Sequence, residues 1–237
     1  MKNDRELYAS LAYLADTLVS GFDLVDLSDR LVHSCLELLD VSAAGMLLTD
    51  QRGSLQVFAS SSQEMKQLEL LQLQSNQGPC YDAFVTGETV GPVLLADADA
   101  RWPRFAFRAR ETGFATVLAL PMRLRESTIG AINLFTSHPR GLTPEDIDAA
   151  RAMANMATIG ILTHRVTRRR EILAEQLQTA LNSRVVIEQA KGIIAEREGV
   201  EMADAFEMLR SMARSARRPL SEVADDVARG RLPTPQE

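Results

Sequence analysis

Six cations near the C-terminal end carry the clearest chemistry in the chain. Arg184 and Lys191 are seven residues apart, which on a helix places them on one side about two turns apart. Arg210 and Arg214 are an i,i+4 pair, continued by Arg217 and Arg218. A stripe of this kind can hold phosphates, with an affinity that falls as salt rises. Its competing reading is a solvated face with internal pairs such as Arg184–Glu188. Small residues flank Lys191. Ala190 and Gly192 would leave room for a nucleic-acid loop, and a mid-helix glycine, which costs roughly 1 kcal/mol against alanine, implies that another backbone comes close.

The remaining reactive groups form no catalytic set. His33, His138 and His164 fall in different elements, and Gly78-Pro79 lacks the Lys-Ser or Lys-Thr of a phosphate loop. Cys80 follows Pro79 at a helix start, where the dipole would favour thiolate; packing under the loop is the alternative. Phe84, Trp102, Phe105, Phe107 and Met122 either line an apolar pocket over a sheet or fill a core. In the first case Asn76, Gln77 and Tyr81 are its polar contacts, and Cys80 adjoins it. A non-enzyme is expected, with no metal site and no cofactor identified.

The elements that position the cations come from residues 183–227. Apolar residues recur at helical spacing in three runs: Val186, Ala190, Ile193, Ile194; then Met202, Ala205, Phe206, Leu209, Met212, Ala213; then Leu220, Val223, Ala224, Val227. Gly199 closes the first, and Pro219 with Ser221 as N-cap opens the third. Helices this short must pack on one another.

Ser183-Arg184, Ile187 to Gly192 (IEQAKG), Ala205-Phe206, Leu209-Arg210, Ala213-Arg214, Pro219-Leu220 and Val223-Ala224 resemble the ANTAR family of RNA-binding antitermination domains. Glu201 departs from it, standing where a capping Ser or Thr is usual. The resemblance implies dimers that grip paired leader-RNA hairpins with six-base loops and keep a terminator from forming.

Upstream, residues 4–19 and 24–39 read as amphipathic helices, and 42–49 and 55–60 as strands around an Asp50-Gln51-Arg52-Gly53 turn. Helices at 63–74 and 80–85 and a strand at 89–94 follow, then strands 115–124 and 128–135 joined at Glu126-Ser127. This is an α+β pattern, an antiparallel sheet flanked by helices. Gly113 to Phe135, with Asn76 to Cys80 and Trp102-Pro103, resembles a GAF domain of the subtype beside ANTAR domains in actinobacterial regulators. GAF-type methionine sulfoxide reductases work with a cluster of three cysteines, and only Cys35 and Cys80 exist here; the bilin and cyclic-nucleotide patterns of other relatives are missing. The ligand is left unknown.

Thr143-Pro144-Glu145-Asp146 is a helix start. Ile159, Val166, Leu173, Ala180, Ile187 and Ile194 recur every seven residues, which suggests a single helix of some 50 residues, ~75 Å, pairing with a second copy. Two helices broken near Thr167–Arg170 are the alternative. The expected layout is a GAF-like sensor at 1–142, a connecting long helix at 143–175, an all-α three-helix ANTAR domain at 176–230 and a disordered tail at 231–237.

Composition fits such a layout. The net charge is −6, but Arg165–Arg218 holds 11 Lys and Arg against 8 Asp and Glu, so a local patch is available to a polyanion. Two cysteines without a CxxC argue against disulfide or zinc frameworks. No apolar run approaches the ~20 residues of a membrane span, and MKNDRELYAS lacks a signal-peptide core, so no membrane association and a cytoplasmic location are expected. The implied function is an RNA-binding transcription antitermination regulator, a homodimer through the long helix, under a sensor open to a small-molecule effector. A signalling scaffold whose helical tail binds a protein is the alternative.

Overall fold

The computed structural model describes residues 4–16, 23–50 and 52–231, in two compact units that divide between Val166 and Thr167. In the first unit come α1 (Asp4–Asp16), α2 (Leu24–Leu38), β1 (Ala43–Thr49), β2 (Leu55–Ser60), α3 (Gln63–Ser75), α4 (Pro79–Thr86) and β3 (Val90–Leu94). A 3-10 turn (Leu95–Asp97), α5 (Pro103–Glu111), β4 (Thr116–Leu124) and β5 (Ser127–Thr136) follow. The helix α6 (Pro144–Glu198) begins here and is continuous past the unit boundary. The second unit adds α7 (Met202–Ser215) and α8 (Leu220–Ala228). Among the described residues no helix is long and apolar enough to cross a membrane.

The sheet is antiparallel in the order β2-β1-β5-β4-β3. Strand alternation sorts its side chains between two cores. Ala44, Met46 and Leu48 of β1, Leu118, Leu120 and Met122 of β4, and Ile132 and Leu134 of β5 meet α2 and the start of α6. Ala43 and Leu47, Val117 and Ala119, and Ala131 and Phe135 point the other way, onto α3, α4 and α5. Both faces are therefore covered. Leu124 pairs with Ser127, so the final hairpin turns on Arg125-Glu126, one residue before the expected site, and Arg125 takes φ 56° to close it. Gln51 of the β1–β2 turn, residues 17–22 after α1 and residues 232–237 of the expected tail lie outside the described residues. Arg231, assigned to that tail, is held by Asp225 at 3.4 Å and Asp226 at 3.2 Å.

Thr143 caps α6: the Asp146 N–H donates to its Oγ1, and its hydroxyl donates to the Asp146 carboxylate at 2.8 Å. No break occurs near Thr167–Arg170. The seven-residue row is nonetheless not one seam. In the first unit α6 packs through Ala149, Ala150, Met153, Ala154, Ala157 and Ile161. In the second, Ala190 and Ile194 are core, with Val186, Ile187 and Ile193 against it. Between these two stretches the helix buries no apolar row. Val166, Leu173, Leu177, Leu181 and Val185 are all exposed, Leu177 by 65%.

Candidate nucleic-acid interface

The helical unit holds its cations over a small core. Ala205, Leu209 and Ala213 of α7 and Val223, Ala224 and Val227 of α8 close on Ala190 and Ile194. Ala190 is fully buried, so its small size serves helix packing and opens no room for RNA. Gly192 faces outward, and nothing lies within 4 Å of where its Cβ would be. Among the described residues no other backbone comes close to it, contrary to the expectation from its position. Met202 is exposed and Phe206 half-buried, so α7 buries a narrower row than its apolar pattern implies.

Phe206 instead gathers two of the predicted cations. Lys191 Nζ lies 5.5 Å and the Arg210 guanidinium carbon 5.8 Å from its ring centroid. Each cation is also tied to a carboxylate one turn away, Lys191 to Glu188 at 2.9 Å and Arg210 to Glu207 at 2.8 Å. Glu188 thus pairs with Lys191 rather than with Arg184. Among the described residues, Arg184, Arg214 and Arg217 make no ion pair or side-chain hydrogen bond, and all three are exposed. Arg218 is different. It donates to Asp226 at 2.8 Å and Glu222 at 3.3 Å, and these carboxylates raise its pKa further. Its charge goes into fastening α7's exit to α8.

The ends of these helices explain the placement. Glu201 precedes α7 without a side-chain cap bond, as its departure from Ser or Thr predicts. Pro219, extended at ψ 141°, leads directly into α8, so Ser221 lies inside the helix and is not its N-cap. At the exit of α7 the Arg218 N–H donates to the Ala213 carbonyl and the Arg217 N–H to the Arg214 carbonyl. That is a Schellman closure, and it puts Arg217 at φ 50°.

In the first unit the expected pocket set does not converge. Trp102 and Phe105 are buried edge-to-face at 6.2 Å beneath α4, and the Trp102 indole N–H donates to Asp82 at 3.1 Å. Met122 lies on the opposite face of the sheet, and Phe107 is 57% exposed. Phe84 packs on the core beside Cys80, with Tyr81 half-buried. Asn76 ends α3 in the left-handed region at φ 50°, a conformation asparagine tolerates, and its side chain and Gln77's are exposed. A groove of about 460 Å³ lies instead between α3 and α5, lined by Leu70, Leu71, Arg104 and Phe107 among others. Cys80 is fully buried, and desolvation pushes its pKa well above the usual thiol value, the reverse of an activated thiolate. Cys35 is likewise buried and pushed up to about 12.

What sequence reading missed on this face is a buried polar cluster. Glu69 of α3 is fully buried; Asn133 Nδ2 of β5 and Gln72 Nε2 each donate to its carboxyl at 2.8 Å. The Cys80 N–H donates to Gln72 Oε1 at 2.9 Å. Gly45 makes the space, since a Cβ there would stand 2.6 Å from Glu69 Oε1. Burial drives the Glu69 pKa up to about 8. Its one sequence signal is that Glu69 shares a helical row with Met65, Leu68 and Gln72. Among the described residues no group of three His, Cys, Asp or Glu could hold a metal ion.

A GAF domain family model matches residues 23–162, and an ANTAR domain model matches residues 175–227. No curated protein matches the chain. Solved structures share the fold of the first unit. The GAF domain of an Acinetobacter phosphoenolpyruvate-protein phosphotransferase is 18% identical, with TM-score 0.52, covering 69% of this chain and 97% of that one. A domain of a two-component sensor histidine kinase protein from Sinorhizobium meliloti is 15% identical, with TM-score 0.52 and coverage of 64% and 99%. The free methionine-R-sulfoxide reductase of Neisseria meningitidis is 15% identical, with TM-score 0.50 and coverage of 68% and 91%.

Proposed function

The chain belongs to the GAF domain family and carries an ANTAR domain behind it, and from this premise we propose that it is a homodimeric antitermination regulator that binds paired hairpin loops of nascent leader RNA under GAF control. The observation that carries the proposal is the cationic face on α6 and α7. Lys191 and Arg210 stand together over Phe206, while Arg184, Arg214 and Arg217 make no internal pair among the described residues. A phosphate would replace Glu188 as the partner of Lys191, and phosphates would meet Arg184, Arg214 and Arg217 directly, with Arg210 held beside them by Glu207. The site set is then Arg184, Lys191, Arg210, Arg214 and Arg217, with Gly192 as open surface; Ala190 and Arg218 support it from within.

Dimerisation rests on the exposed row Leu173, Leu177, Leu181 and Val185. A second copy of the same helix supplies a matching apolar row, and two tethered RNA sites raise the effective concentration of the second hairpin. The GAF unit would bias that pairing through the start of α6, in response to a small-molecule effector, and the protein would act in the cytoplasm. The buried thiols and the divided aromatic set favour a regulatory over a catalytic role for this unit.

The test is direct. Lys191→Ala and Arg214→Ala should each weaken hairpin binding, and each lost phosphate contact should flatten the slope of log affinity against log salt by about one unit. Failure to bind hairpins in preference to scrambled RNA at moderate salt would sink the reading. A signalling scaffold with a protein-binding tail would give that result.

A further inference from the structure

Between Thr167 and Glu237 the sequence holds one aromatic residue, Phe206, and the core of that unit does not use it. The core is built from alanines, valines, Ile194 and Leu209. A ring of this size is ordinarily the best apolar filler a small three-helix unit has. Here it is half-buried, with Lys191 and Arg210 5.5 and 5.8 Å from its centroid. Arg210 is four residues beyond Phe206 on α7, so the helix itself sets guanidinium and ring side by side. Lys191 approaches from α6 and is mostly shielded, its side chain 17% exposed. The neighbouring surface at Gly192 is open.

We propose that Phe206 and Arg210 together form a stacking platform for one unpaired base of the RNA loop, with Lys191 taking the phosphate of that nucleotide. The proposal rests on the RNA reading above and adds a base-contacting site to it. A nucleotide matches the arrangement because it brings a flat π surface and an anion within one residue's reach. Bases stack on aromatic rings and on guanidinium planes alike. Glu207 holds the Arg210 guanidinium and so limits the freedom lost when a base arrives. Lys191 would exchange Glu188 for the phosphate.

The experiment uses the full chain and a hairpin that it selects from a library of six-base loops. The selected hairpin is resynthesised with 2-aminopurine at each loop position in turn. One position should be quenched on binding, and Phe206→Leu should abolish that quench and weaken affinity about tenfold or more while leaving the salt slope unchanged. Phe206→Trp should bind at least as tightly as the wild type. Tight wild-type binding with no quenched position overturns the platform alone, as does Phe206→Leu binding within about twofold of wild type. Selection of no hairpin at all overturns the RNA reading and the platform with it. If Phe206→Leu unfolds the helical unit, the wild-type quench and Phe206→Trp still decide.

Discussion

Arg217 occupies a backbone conformation that favours glycine. Its φ of 50° closes the Schellman motif of α7, and a side chain there costs about 1 kcal/mol or more. The cost is retained next to a cation whose charge nothing in the described chain neutralises. Arg217→Gly should therefore separate the two roles of the position. Thermal melts should show the helical unit stabilised by about 1 kcal/mol, while RNA titrations show weaker binding and a shallower salt dependence. Unchanged RNA affinity would remove Arg217 from the interface. The adjacent Arg218 shows why residue type alone misleads at this scale: it is as basic as its neighbour, yet two carboxylates of α8 already claim it.

At the scale of elements, the sheet and its two helical layers were legible because the near-continuous apolar runs of β1, β4 and β5, bounded by turn residues, and the helical periodicity of α2 and α6 are local signals. Pro144 and Thr143 announced α6 for the same reason. Contacts set by tertiary packing were not legible. Nothing in the string MKQLELLQLQ marks Glu69 as buried, because the space it fills is made by Gly45 on another element. Phe206 reads as core at helical spacing, and only the packed unit shows it beside two cations. Glu69 gives α3 a titration that can be measured. Its folded pKa of about 8 lies above its ordinary value of 4.5, so the folded state binds the extra proton between them. The contribution of Glu69 to stability is then full below about pH 4.5 and is lost as pH climbs toward 8, by ~3 kcal/mol at neutrality if the unfolded value is ordinary. Cys80, the other titratable group close to Glu69, stays a thiol throughout. Glu69→Gln should flatten the pH dependence and stabilise the first unit above about pH 7. Denaturation followed by Trp102 fluorescence checks this, because the only tryptophan lies in that unit's core. A wild-type stability that does not fall between about pH 5 and 8 would refute it.

For the whole molecule, the decisive stretch is the middle of α6, where leucines that ordinarily find a core meet water. The seven-residue ladder read from sequence runs Leu173 to Ala180 to Ile187, but the exposed apolar residues step by four, from Leu173 to Leu177 to Leu181 to Val185. A row spaced by four advances about 40° per step, roughly a third of the way around the helix from Leu173 to Val185, so a partner would have to wrap differently from a strict heptad coil. Leu177→Asp with Leu181→Asp should yield monomers by sedimentation. Affinity for a paired-hairpin RNA should fall by about tenfold or more, with single-hairpin affinity kept. Equal losses on both RNAs would mean that the row belongs to the RNA site itself. Pairing of two copies through this row, as proposed, would obey mass action. The paired fraction would then be set by how many copies the cell contains. Below a threshold abundance, newly made chains would stay single and inert, and doubling expression would switch on the response more steeply than in proportion. Dosage would thus be an input to the regulator, alongside whatever its sensor detects.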